Sequence, residues 1–126
     1  MMLQVSSQMR GEVMVVSCEG KIVYREEAAH LRQTMKDFLQ QCRFLVLDFA
    51  KVTMMDSNGV GTLVGLATSA RNAGGDVKLA GMTPRLQDVL RVTKLTPLFA
   101  IYPTVDEAVE RFRRENTPVA VGELPR

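Results

Sequence analysis

Phe44-Leu45-Val46-Leu47, closed by Asp48, and, after seven intervening residues, Asp56-Ser57-Asn58-Gly59-Val60-Gly61 frame the segment that decides the fold. The first is an apolar run long enough for a fully buried strand and too short for a helix. After Asp56 the period changes: Val60, Leu63, Val64, Ala67 and Ala70 fall on one helical face, and Gly74-Gly75 supply residues that tolerate a left-handed exit. A buried strand that feeds a helix through a polar, glycine-spaced loop, Asp48 to Gly61, is the unit from which parallel α/β sheets are built.

The same alternation extends in both directions. Upstream, Leu3, Val5 and Met9 alternate with polar residues and predict an edge strand with one buried face. Arg10-Gly11-Glu12 turns it into Val13 to Cys18, apolar on both parities and therefore deeper in the sheet, with Gly20 expected to end it. From Glu26, Ala28, Leu31, Met35, Phe38 and Cys42 recur at steps of three and four, with Lys36, Asp37 and Gln40 outside.

Downstream, Val77 to Gly81 reads as a strand. Thr83-Pro84 opens a short helix with Leu86, Val89 and Leu90 inward, and Phe99 to Tyr102 is a last strand. Thr104-Val105-Asp106-Glu107 is a capping box before a helix that buries Val105, Ala108, Val109 and Phe112. The expectation is a single α/β domain over residues 1–114: a mixed, mainly parallel sheet of about five strands with about four helices. Residues 115–126 show no period and are expected to form a flexible tail.

Composition narrows the function classes. A chain of 126 residues fits one domain, and a net charge of +2 is too small to serve as an electrostatic footprint for direct nucleic-acid binding. The basic cluster Arg111, Arg113, Arg114 ends the last predicted helix, where cations complement the macrodipole. No apolar stretch approaches the roughly 20 residues of a membrane span, and Met1 to Gln8 lacks the charged and apolar regions of a secretory signal, so a cytoplasmic protein is expected. Cys18 and Cys42 are too far apart, and His30 too isolated, to predict a metal site, and nothing predicts a cofactor.

In an open α/β sheet, function collects beyond the carboxyl ends of the strands. Ser57 would stand in the first turn of its helix, where the amides of Asn58, Gly59 and Val60 point outward and favour an anion such as phosphate. The plainer reading is that Asp56 or Ser57 is a helix cap and the glycines serve close packing, and the residues alone favour it. Met54 and Met55 offer an adaptable contact surface beside Ser57, one of the pair being expected in the core.

Leu45-Val46-Leu47-Asp48, Val52, Met55-Asp56-Ser57-Asn58-Gly59-Val60-Gly61 and Gly74-Gly75-Asp76-Val77-Lys78-Leu79 together resemble the core of the STAS family (sulfate transporter and anti-sigma factor antagonist), over about Glu12 to Phe112. The resemblance implies an anti-sigma factor antagonist without enzymatic activity. Its Ser57 would be phosphorylated by an anti-sigma factor with serine kinase activity and restored by a phosphatase. The unphosphorylated form would bind the kinase and free a sigma factor. Asp56, Ser57, Asn58, Gly59 and Val60 would then face the partner, with Met54 and Tyr24 beside them. Where free-standing antagonists often carry a Leu-Asp-x-x-Thr-Ala segment, this chain reads Gly20-Lys21-Ile22-Val23-Tyr24-Arg25-Glu26-Glu27-Ala28.

Other readings have less support. A nucleophile elbow needs Gly-x-Ser-x-Gly, and Met55-Asp56-Ser57-Asn58-Gly59 lacks the first glycine. Gly59-Val60-Gly61 is not a nucleotide-binding glycine run. Within the family, a scaffold of a stress-signalling assembly or an accessory subunit of a membrane transporter remains the alternative.

Overall fold

The computed structural model describes residues 3–116. Its elements run β1 (Gln4–Arg10), β2 (Val13–Ile22), α1 (Tyr24–Gln41), β3 (Phe44–Met55), α2 (Ser57–Asn72), β4 (Asp76–Ala80), α3 (Pro84–Val92), β5 (Ala100–Tyr102) and α4 (Val105–Asn116), with a 3-10 turn at Thr96–Leu98. Among the described residues the five strands form one sheet in the order β1-β2-β3-β4-β5. The hairpin β1–β2 is antiparallel, and every later pairing is parallel.

Alternate residues of the same strands fall into two cores. Met14, Val16, Leu45, Leu47, Val77 and Leu79 pack with Leu31 and Met35 of α1, Leu63 and Leu66 of α2, and Leu86 and Leu90 of α3. Val13, Val15, Val46 and Ala80 face the other way and meet Ala108, Val109 and Phe112 of α4. Two covered faces explain why β2 and β3 are apolar on both parities.

Local chemistry fixes the helix starts. The Thr83 hydroxyl accepts from the Leu86 amide at 3.3 Å, with Pro84 in the first turn. Thr104 does the same for Glu107 at 3.1 Å. After α2, Gly74 takes a φ of 84°, and a Cβ on Gly75 would lie 1.9 Å from the Arg43 carbonyl oxygen, so this turn presses directly on the start of β3.

Several expectations change. β3 does not stop near Leu47 but continues to Met55, paired with the second half of β2 beyond the reach of β4. Val52 and Met55 point inward from it, while Lys51, Thr53 and Met54 are exposed. Gly20 does not end β2; with φ of 114° it sits beside a register irregularity, and the strand runs on to Ile22. Met9 is 50% exposed, whereas Leu3, just before the other end of the edge strand, is buried. The last helix includes Glu115 and Asn116; the remainder of the expected tail, 117–126, lies outside the described residues.

Candidate functional site

The extended β2–β3 pair carries two loop-to-helix junctions to one place. β2 ends at Ile22 and α1 opens at Tyr24; β3 ends at Met55 and α2 opens at Ser57. The Asp56 amide donates to the Ile22 carbonyl at 3.3 Å, joining the two junctions through the backbone.

Asp56 organises both. Its Oδ1 accepts from the amides of Asn58 (2.9 Å) and Gly59 (3.3 Å), capping α2. Its Oδ2 accepts from the Tyr24 amide at 2.9 Å and the Asn58 side-chain amide at 3.4 Å. No side chain caps α1 from its own N-cap, Val23, so this carboxylate serves the starts of two helices. Partial burial pushes the Asp56 carboxyl up, yet the amides of Tyr24 and Gly59 and both donors of Asn58 together outweigh it and hold the group below its ordinary value of 3.8.

Tyr24 has φ of 64°, a left-handed conformation that costs a bulky residue about 1–3 kcal/mol. The residue is 66% exposed, so side-chain packing contributes little to holding it there. Neighbouring Val23 and Ala28 are buried and anchor the segment on either side.

Ser57 is exposed at the first position of α2, and among the described residues no hydrogen bond engages its hydroxyl. Asn58 is exposed, and Met54 is 41% exposed, whereas Met55 is buried in the core. Ser57, Asn58, Met54 and Tyr24 therefore present accessible groups around the Asp56 cap. Gly59 and Val60 do not join them as expected contact residues. Val60 is 2% exposed, and Gly59 lies against Met55 and Ile22, because the first turn of α2 rolls that face into the core.

The amides expected to await an anion are engaged as well. Those of Asn58 and Gly59 bind the Asp56 carboxylate, and that of Val60 donates to the Asp56 carbonyl at 3.0 Å. A charge added to Ser57 would meet a filled cap beside a carboxylate. Thr62, buried in mid-helix and not singled out from the sequence, donates to Asn58 O at 3.0 Å and lies 3.5 Å from Ala28 O of α1. Its hydroxyl at helical spacing from Asn58 gave no sign of the second contact.

Two clefts of about 380 and 430 Å³ lie at Gln4, Ser17 and Asp48 and at Glu12, Gln40 and Arg43, and Ser57 lines neither. His30 is exposed on α1, and among the described residues no group of three or more His, Cys, Asp or Glu is placed to hold a metal. Among them, too, no helix is long and apolar enough to cross a membrane.

Comparison with known proteins identifies the family. The model of the STAS domain matches residues 4–108. The anti-sigma F factor antagonist of Paenibacillus polymyxa is 27% identical over 111 residues, covering 86% of this chain and 92% of that protein. The crystal structure of an anti-sigma factor antagonist from Mycobacterium paratuberculosis superposes with a TM-score of 0.79 at 24% identity, covering 88% of this chain and 94% of that one. The Bacillus cell fate determinant SpoIIAA in its phosphorylated form gives 0.68 at 22% identity, covering 87% of this chain and all of that one (100%). With the family model spanning both the sheet and the Asp56–Ser57 junction, this chain belongs to the STAS domain family, among relatives named anti-sigma factor antagonists.

Proposed function

We propose that this chain is a phosphorylation-switched anti-sigma factor antagonist acting in the cytoplasm, a binding partner and not an enzyme. Unphosphorylated, it docks through Ser57, Asn58, Met54 and Tyr24 on an anti-sigma factor with serine kinase activity, and a sigma factor is released. The kinase then moves the γ-phosphoryl group of ATP to Ser57 Oγ, taking the hydroxyl proton on its own base, and the complex parts. A phosphatase hydrolyses the ester, returning the hydroxyl and inorganic phosphate.

The observation that carries this reading is the state of Ser57: exposed, its hydroxyl unengaged among the described residues, and set on a helix start whose Asn58, Gly59 and Val60 amides are already taken. A phosphate there adds about −1.5 to −2 charge at neutral pH with Asp56 next to it. With the Asn58, Gly59 and Val60 amides already engaged, that charge faces the partner, and an interface made for a small neutral hydroxyl must desolvate it. SpoIIAA, similar in fold, has been captured in a phosphorylated form, which fits a STAS fold that tolerates the modification.

The test is titration of the purified kinase with unmodified protein, phosphorylated protein, Ser57→Ala and Ser57→Glu. Binding should persist for unmodified protein and Ser57→Ala and weaken at least tenfold for the two charged forms, a loss of about 1.4 kcal/mol. Equal affinity for all four overturns the switch. Protein alone with ATP and magnesium should stay unlabelled; self-labelling at Ser57 would make the chain an enzyme.

A further inference from the structure

We propose that Asp56 is a latch joining the two junctions of the site: by holding the Tyr24 amide it keeps the β2–α1 junction in a left-handed conformation, and a negative charge on Ser57 loosens that hold, so the switch changes Tyr24 as well as Ser57. The source of the charge rests on the function proposed above; the latch itself is a property of this chain alone.

Three observations converge on it. First, the two oxygens of one carboxylate are divided between two elements. Oδ1 serves the Asn58 and Gly59 amides of α2, and Oδ2 reaches across to the Tyr24 amide at 2.9 Å. Second, Tyr24 is one of two non-glycine residues with positive φ among those described, and its exposed ring contributes little to holding it there. A strained conformation persists only while its surroundings over-determine it. The hydrogen bond to Asp56 Oδ2 holds Tyr24 directly from another element, beside the backbone bond from the Asp56 amide to the Ile22 carbonyl. Third, the Asn58 and Gly59 amides are already bound to Oδ1, so a phosphate on Ser57 competes with Oδ1 for them or stands beside Asp56 as a like charge.

Either course displaces the carboxylate. When Oδ2 withdraws, the Tyr24 amide loses its acceptor and the backbone relaxes toward negative φ. The exposed ring is then re-aimed. One charge would thus remove two contacts, the hydroxyl and the aromatic, from whatever binds there. The two conformations of Tyr24 supply the bistable element that such coupling requires.

The test uses the isotopically labelled full-length protein alone. In the unmodified chain, Tyr24 should show the strong intraresidue amide-to-Hα NOE of positive φ and a protected amide. Ser57→Glu should abolish that NOE and speed Tyr24 amide exchange roughly tenfold or more, with the amides from Leu63 to Ala70 keeping their protection. Asp56→Ser, whose short hydroxyl still caps α2 without spanning to Tyr24, should do the same. An unchanged Tyr24 in Ser57→Glu overturns the latch, and so does parallel loss of protection along α2, which would make Asp56 only a helix cap. The two ideas separate cleanly. If Ser57→Glu moves Tyr24 but not partner affinity, the proposed function fails and the latch stands. If affinity falls while Tyr24 stays fixed, the latch fails and the function stands.

Discussion

A Cβ on Gly59 would stand 2.7 Å from the carbonyl oxygen of Ile22 and 2.6 Å from Met55 Cγ. The start of α2 therefore presses against the end of β2, and that contact holds the two junctions of the site together. Gly59→Ala should destabilise the protein by about 1–3 kcal/mol through overpacking. Gly61, two residues on, has nothing within 4 Å of its missing Cβ. There alanine should stabilise the helix by about 0.5–1 kcal/mol. Chemical denaturation of both variants checks the contrast, and equal effects would contradict the packing described for Gly59.

Why the fold was legible while the site was only half so follows from the same residues. Apolar runs on both parities gave β2 and β3, and the three-and-four spacing gave α1, α2 and α4, because burial writes itself directly into residue type. The Asp-Ser-x-Gly-x-Gly motif located Ser57. Its surroundings depend on contacts distant in sequence. Nothing near Val52 and Met55 reveals that β2 stays paired with them past Gly20. Nor does any local signal show that Asp56 reaches 32 positions back to Tyr24, or that the amides of Asn58, Gly59 and Val60 are already engaged. Gly59 and Val60 read as accessible because the motif is polar and small, yet the roll of the helix turns them inward.

Asp56 should give the stability a pH dependence of defined sign. Its folded-state pKa is depressed below 3.8, so unfolding takes up a proton in the acid range. The increment is present in full above about pH 5, erodes as the pH falls through the carboxylate range, and is gone once the folded carboxyl is also protonated. Asp56→Ala should cost about 1–2 kcal/mol at pH 7, the usual loss on removing a cap, and the gap to the unmodified protein should narrow steadily as the pH falls through and below the ordinary carboxylate range. Urea unfolding at a series of pH values measures this, and a gap independent of pH would remove the carboxylate from the account.

The two cysteines should differ sharply in reactivity. Burial, with the nearby negative charge of Asp48, pushes the Cys18 thiol up to about 12. Cys42 is only partly buried, its thiol donating to the carbonyls of Glu12 (3.1 Å) and Phe44 (3.3 Å). Brief alkylation with iodoacetamide at pH 8 should label Cys42 in the native protein and both residues after denaturation. The unfolded thiol ionises near 9.0, and the folded one only near 12. Ionisation of the unfolded chain should therefore draw stability down as the pH rises through that interval, and Cys18→Ala should lack that part of the alkaline decline. Equal native labelling of both cysteines would contradict the buried placement of Cys18.

Lys78 is the buried cation of the α4 face. Its side chain, 3% exposed, lies under α4 with Nζ 3.1 Å from Glu115 Oε1, 4.5 Å from the centre of the Phe112 ring and 5.8 Å from that of Tyr102. The aromatic faces supply part of its solvation and the carboxylate the rest. Glu115 also lies 3.3 Å from Arg111 Nε, so the last turn of α4 carries the counter-charge rather than the tail to which the sequence pattern would give it. Removing only the carboxylate leaves a desolvated ammonium, and Glu115→Gln should cost about 1–3 kcal/mol. Lys78→Met keeps an unbranched stem against Phe112 and abolishes the charge, so its stability should lie within about 1 kcal/mol of the unmodified protein. Once the lysine is gone, the glutamate has nothing buried to neutralise. Lys78→Met with Glu115→Gln should then melt close to Lys78→Met alone, far from the sum of the two single effects. A double-mutant cycle by denaturant unfolding reads this directly, and additive losses would show that the pair does not hold α4 to the sheet.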